Sequence, residues 1–227
     1  MNAASTSVTA PILAIETSGS ACSVALLLPG AGAGRPPAHE IMATSHGHAT
    51  ALAPMIAQVA RSAGVALPAL KTIAVSCGPG GFTGIRVGLA TARAMALAIG
   101  CPIVGIGSFQ ALAATAIRSG GPLASRNLVV LDSRRSELFA VELGADLATL
   151  SPPALLTAEQ VEARCRQEGV TLIADAELTR LAGVGGRSAT ADAIAVAELA
   201  MARPDLHLPA EPIYLRPPDI SQPKPRS

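Results

Sequence analysis

Apolar and polar positions fall into two rhythms along this chain of 227 residues. Short apolar runs with the character of buried strands occupy 12–16, 21–28, 70–76, 102–106, 127–132, 137–143 and 170–174, and a further strand is expected at 38–45. Helical spacing marks 48–62 through Leu52, Met55, Ile56 and Val59; Pro54 either kinks its first turn or moves its start to Ala53. Further helices are predicted at 83–99 with Gly100 as the stop, and at 108–117 with Ser108 as the cap. Two more are predicted at 157–167, where Thr157 and Gln160 have capping-box spacing, and at 190–202. Residues 29–37 read as a flexible tip, 118–126 as a linker and 217–227 as a disordered, proline-rich tail. Hairpin strands followed by crossover helices predict an α/β protein of mixed sheets with flanking helices. The expected division is a lobe over 1–120, ordered from about 11, and a smaller one over 121–216, with the option that its last helix packs back on the first.

Residues 12–27 and 128–143 echo one another at constant offset. Each has four apolar residues, a carboxylate (Glu16 or Asp132), a hydroxyl (Thr17 or Ser133), a polar turn and a second apolar strand. Duplication would give two similar lobes with a cleft between them, a common place for a ligand. The carboxylates would then either face the cleft and hold a metal-bound water or a hydroxyl, or cap their own turns through the backbone, which is the simpler reading of each taken singly.

Composition removes several functions. A formal charge of +1 gives no basic field for nucleic acid, and no Trp, one Tyr and three Phe give no stacking platform. Arg93 and the sequence Gly100-Cys101-Pro102 interrupt the apolar runs, so no membrane span is expected. The first ten residues lack the features of a signal peptide, and a cytoplasmic protein is expected. Cys22, Cys77, Cys101 and Cys165 stand far apart and read as reduced thiols. His39, His46, His48 and His207 form no metal-binding spacing, and no nucleophile elbow appears. No catalytic residue and no metal ligand emerges, so an enzyme acting alone is poorly supported.

The stretch "GPGGFTG", 78–84, joins a strand to a helix. It lacks the lysine and spacing of a P-loop, and Thr83 stands where a dinucleotide fingerprint needs its last glycine. Thr83 is a candidate cap, Phe82 a candidate staple onto Val87, and the amides around Gly80, Gly81 and Thr83 a weak anion or nucleotide contact. In the helix, Gly84, Gly88, Ala92 and Ala96 recur every four residues. Such a stripe lets another backbone come close, either this chain's own sheet or a partner. Arg86 and Arg93 share a face, solvated or opposite a partner's carboxylates.

"ILAIETSGSACSVALL", "GPGGFTGIRVGLATARAMALA", "LDSRRSELFAVEL" and "EPIYLR" stand in the order and spacing that resemble the TsaB (YeaZ) family, over the chain to Arg216. The resemblance implies two RNase-H-like lobes of the actin/sugar-kinase/Hsp70 type. It implies a part in making N6-threonylcarbamoyladenosine on tRNA beside the catalytic paralogue TsaD, with TsaE joining through the complex and TsaC supplying the activated group. TsaD binds metal through an H-x-x-x-H helix; here the corresponding helix has only His48. Two departures are Glu16, where aspartate is usual, and a second lobe that looks short after Ala174.

The resulting expectation is a non-catalytic scaffold and dimerisation subunit that docks TsaD through the first two helices. Leu52, Met55, Ile56, Gly84, Gly88, Ala92, Arg86 and Arg93 are the expected interface. The chain would have no cofactor of its own, with weak ATP or ADP at the partner interface left open. It would meet tRNA only through the complex, self-pair as a homodimer when isolated, and touch no membrane. The rivals are an ATPase or kinase using Glu16 and Asp132 in the cleft, and a peptidase, which the missing metal helix argues against.

Overall fold

In the computed structural model, which describes residues 10–28, 36–43, 47–181 and 185–216, strand β1 (Ile12–Glu16) is buried along its whole length. It lies at the centre of a five-stranded sheet, between β2 (Ala21–Leu27) and β4 (Thr72–Ser76), with β3 (Ala38–Ala43) and β5 (Ile103–Ile106) at the edges. β1, β2 and β3 are antiparallel neighbours, whereas β1, β4 and β5 run parallel. The second sheet repeats this plan. Its order is β8 (Ala154–Leu156), β7 (Leu138–Leu143), β6 (Arg126–Leu131), β9 (Val170–Ala174), β10 (Gly186–Ser188). Here too the first three strands in chain order pair antiparallel and the last two add parallel. The echo in the sequence is therefore a structural repeat, with Glu16 the last residue of one central strand and Asp132 the residue just after the other.

Alternation along β1 divides the core. Leu13 and Ile15 face a cluster with Leu52, Ile56 and Val59 of α1 (His48–Ala63) and Ile85, Leu89 and Ala92 of α2 (Phe82–Ile99). Ile12 and Ala14 face the other way, into the core shared by both lobes. That core holds Phe109 and Leu112 of α3 (Ser108–Gly120) and Val196 and Leu199 of α6 (Ala193–Ala202), and reaches Val129, Phe139 and Ile173 of the second sheet. α6 is apolar apart from Glu198, which pairs with Arg118, because it lies against β1 and β2 as well as α3. On the far side of the second sheet Val161 of α4 (Ala158–Cys165) packs on Leu128, Val130 and Leu172.

Several local expectations change. α1 begins at His48 and keeps Pro54 inside, rather than starting at Ala53. α2 is capped by the extended Gly81 without a side-chain hydrogen bond, so Thr83 is not its cap. Ser108 lies within α3, and its hydroxyl donates to Ser18 Oγ at 2.7 Å. β8, β10 and α5 (Ala176–Leu181) were not expected, being too short for a period to show. Most of the tip (29–35), the end of the third strand with His46 (44–46), residues 182–184 and the tail (217–227) lie outside the described residues.

The main correction concerns the small stripe. Gly84, Gly88, Ala92 and Ala96 are buried under the first sheet. A Cβ on Gly88 would stand 2.3 Å from Thr17 Oγ1 and 3.6 Å from Ile15 Cγ2. Thr17 Oγ1 itself donates to the Gly84 carbonyl at 2.9 Å. The stripe is the seat of α2 on its own sheet, and no partner reaches it. α2 also has the length and composition of a membrane span. Its inner flank, however, belongs to the core of the first lobe, and its outer flank carries Arg86 and Arg93, the pattern of a core helix.

Gly88→Ala should destabilise the chain by about 1–3 kcal/mol in urea unfolding, because Thr17 must move or lose its bond. Ala90→Leu, on the exposed side, should change stability by less than about 0.5 kcal/mol. Equal effects of the two would contradict the inward seat.

Candidate docking face and inter-lobe cleft

A cleft of about 810 Å³ separates the lobes. Thr17, Gly80, Gly81 and Thr83 line one wall, and Arg134 and Arg216 line another. The glycine turn serves first to let two turns interlock. A Cβ on Gly80 would meet the Ser18 carbonyl oxygen at 2.3 Å, and Gly81 N–H donates to the same oxygen at 2.7 Å. The start of α2, which has no side-chain cap hydrogen bond, then opens onto the cleft beside Thr83.

The two repeated carboxylates both cap their own turns. Glu16 Oε1 accepts from Ser18 N–H and Ser18 Oγ–H, each at 2.6 Å, and Asp132 Oδ1 accepts from Arg134 N–H at 2.7 Å. Glu16 is fully buried and lines no part of the cleft, while its Oε2 has no hydrogen-bond partner among the described residues. Burial pushes its pKa above the ordinary 4.5, against the opposing effect of the Ser18 donors. Asp132 is paired with Arg134 at 3.3 Å and lines a separate recess of about 40 Å³. The two carboxylates are thus not displayed together around one ligand space. Burial raises the Cys22 and Cys77 thiols to about 11, so neither is a ready nucleophile.

Of the residues expected at a partner interface, five are internal. Leu52 and Ile56 are core residues of α1, and Gly84, Gly88 and Ala92 form the seat of α2. Met55 is half-buried against the core, whereas Arg86 and Arg93 are exposed. The exposed residues of α2 are Phe82, Thr83, Arg86, Ala90, Arg93, Ala94, Leu97 and Ala98. Leu97 is 86% exposed, the extreme case among large apolar side chains described. Ala49, Ala53 and Pro54 are exposed on the neighbouring α1. Small residues occupy both sides of α2; glycine marks the tighter inner contact, while the outer ridge is alanine with a leucine that joins no core.

A C-terminal strap completes this surface. After a 3₁₀ turn at Pro204–Leu206 the chain returns to the first lobe, where Leu208 bridges Gly105 and Ile213 N–H donates to the Cys77 carbonyl at 2.8 Å. This places the Tyr214 ring 5.3 Å from that of Phe82 at the start of α2. The sequence "EPIYLR" carries no local signal for this role of Tyr214, because Phe82 is far away along the chain.

A sequence model of the family described as TsaD, tRNA N6-adenosine threonylcarbamoyltransferase, matches residues 42–198. The chain belongs to that family, and within it to the TsaB/YeaZ group. It is 33% identical over 135 residues to the tRNA threonylcarbamoyladenosine biosynthesis protein TsaB of Escherichia coli, covering 60% of this chain and 55% of that protein. The TsaB protein of Haemophilus influenzae is 31% identical over 128 residues, covering 56% and 51%. The chain thus spans about half the length of these curated relatives. The solved structure of YeaZ from Pseudomonas aeruginosa superposes with a TM-score of 0.74 at 26% identity, covering 91% of this chain and 100% of that one.

Because the Glu16 pKa is raised on folding, its contribution to stability is present below the unfolded value near 4.5 and is lost as pH rises through the folded value. Glu16→Gln, which keeps an acceptor for Ser18, should therefore gain in Tm relative to the native chain as pH rises from about 4 to about 8. A difference in Tm that stays constant over that range would contradict the buried-acid account.

Proposed function

We propose that this chain is a non-catalytic, cytoplasmic docking subunit in the synthesis of threonylcarbamoyladenosine on tRNA. It binds and activates the catalytic TsaD through the outer face of α2 and the adjoining face of α1. TsaE and tRNA meet it through that complex. The observation that carries the reading is the exposed apolar ridge of Ala90, Ala94 and Leu97, beside a cleft that neither repeated carboxylate lines, each being spent on its own turn. Family membership supports the pathway, since the E. coli and H. influenzae relatives are named for threonylcarbamoyladenosine biosynthesis. Alanine has no side-chain entropy to lose on docking, and a flat alanine ridge brings a facing helix into wide dispersion contact.

Leu97→Arg should leave Tm nearly unchanged and weaken capture of the same organism's TsaD by about tenfold or more. It should also reduce tRNA modification in a reconstituted reaction. Undiminished capture by the folded variant would reject this face.

A second reading, weak ATP or ADP binding in the cleft, is favoured by the open start of α2 beside Gly80, Gly81 and Thr83. Without a lysine in that turn, calorimetric titration of the isolated chain with ATP and magnesium should give a Kd weaker than about 0.1 mM. Micromolar binding with turnover would instead support an ATPase or kinase.

A further inference from the structure

The strap at 207–216 covers two openings of the first lobe at once. Leu208 and Gly105 exchange both backbone hydrogen bonds at 2.9 Å, which covers the outer edge of β5. Pro209 and Pro212 have no N–H, so this pairing does not extend into a strand. Two glycines make the seat. A Cβ on Gly105 would stand 2.6 Å from the Pro209 carbonyl oxygen, and one on Gly78 would stand 2.8 Å from that of Ile213. Cys77 lies beneath. Its thiol donates to the Pro209 carbonyl at 3.5 Å, and its own carbonyl accepts from Ile213 N–H. From Ile213 to Arg216 the strap forms part of the cleft wall.

The hold on the strap is light and mostly polar. Ala210 is its one buried residue. Ile213 and Leu215 are half-buried, the first against the core of the first lobe and the second against the shared core. Arg93 Nε donates to the Ala210 carbonyl at 2.9 Å, and Arg86 Nε donates to the Tyr214 hydroxyl at 2.9 Å. An ion pair between Arg216 and Glu137 crosses to the second lobe, and its side chains are 29% and 40% exposed. A segment with so little buried surface and such exposed ties opens at a free energy well below that of global unfolding.

We infer that the strap is a releasable gate: it lifts as a unit while both sheets stay folded, and in lifting it opens one wall of the inter-lobe cleft. Arg216 and Glu137 are its latch. The lift also bares the edge of β5 and uncovers Cys77. Entry of a ligand to the cleft then depends on the latch, whatever the ligand is. The inference does not rest on the docking reading above.

Two native thiols supply the test. Cys77 lies under the strap and Cys22 lies in β2; both are buried, and burial raises each to about 11. Lifting the strap exposes Cys77 and not Cys22, whereas global unfolding exposes both. The full chain is pulsed with N-ethylmaleimide without denaturant, and each cysteine is read by mass spectrometry. Cys77 should label at least ~10-fold faster than Cys22. Its rate should rise further as salt goes from about 50 to about 500 mM. Glu137→Gln should raise the Cys77 rate by about three- to fivefold and leave Cys22 and Tm nearly unchanged. The exchanged pair Glu137→Arg/Arg216→Glu should restore the native rate. Cleft access is read at Val87→Cys, a half-buried wall position, whose labelling should rise with Glu137→Gln by the same factor. Equal rates at Cys77 and Cys22, or a Glu137→Gln variant that changes neither, make the strap a fixed part of the fold and overturn the inference. A Cys77 rate that rises while Val87→Cys labels as before shows a strap that lifts without gating the cleft, and overturns it too. No arm of the test contains TsaD, so failure of the docking reading leaves these outcomes unmoved.

Discussion

The seating of α2 on the first sheet depends on one close approach. Thr17 Oγ1 reaches the Gly84 carbonyl, and Gly88 leaves the space that the same hydroxyl group occupies. A β-carbon at 88 would collide with it, so the helix lies nearer the sheet than a side chain would allow. Once that ridge is down, helical geometry fixes the rest. Ala90, Ala94 and Leu97 point outward, the start of the helix opens on the cleft, and Arg86 and Arg93 fall beside the C-terminal strap. The turn carrying Thr17 is locked in the same region through the Ser18 carbonyl and Gly81 N–H.

The repeated architecture explains why only one lobe offers such a face. Each lobe has three strands, a helix, a strand, a helix, a strand and a closing helix or its equivalent, in one sheet order. α1 and α2 of the first lobe run for 16 and 18 residues, whereas their counterparts α4 and α5 run for 8 and 6. Among the described residues the second lobe keeps the sheet and has no helix pair as long as α1 and α2 on its outer side. Its turn carboxylate has also taken another path, since Asp132 is paired with an arginine at the edge of the cleft while Glu16 is sealed behind Ser18.

The central strands, the hairpins and the long helices were legible because buried runs and helical periods extend over enough residues to be distinctive. β1 and β9 fall on the expected residues, and Thr157 and Gln160 form the capping box that their spacing suggested. β8, β10 and α5 were not legible because three to six residues do not establish a period. α2 was legible as a helix, and which of its sides is buried was not. Gly84, Gly88 and Ala92 announce a close contact without saying with what, and Leu52 and Ile56 mark the apolar stripe of α1, which in a monomer is the buried one. Tyr214 was out of reach for another reason: it meets Phe82 and Arg86 only because a strap 128 residues further along the chain from Arg86 folds back on the first lobe.

The most direct measurement is site-resolved thiol labelling of Ala94→Cys, in the middle of the outer ridge, with and without the same organism's TsaD, read by mass spectrometry. The account predicts fast labelling in the isolated chain, slowed by about tenfold or more in the complex. Labelling that is slow in the isolated chain, or unchanged when TsaD binds, would contradict it.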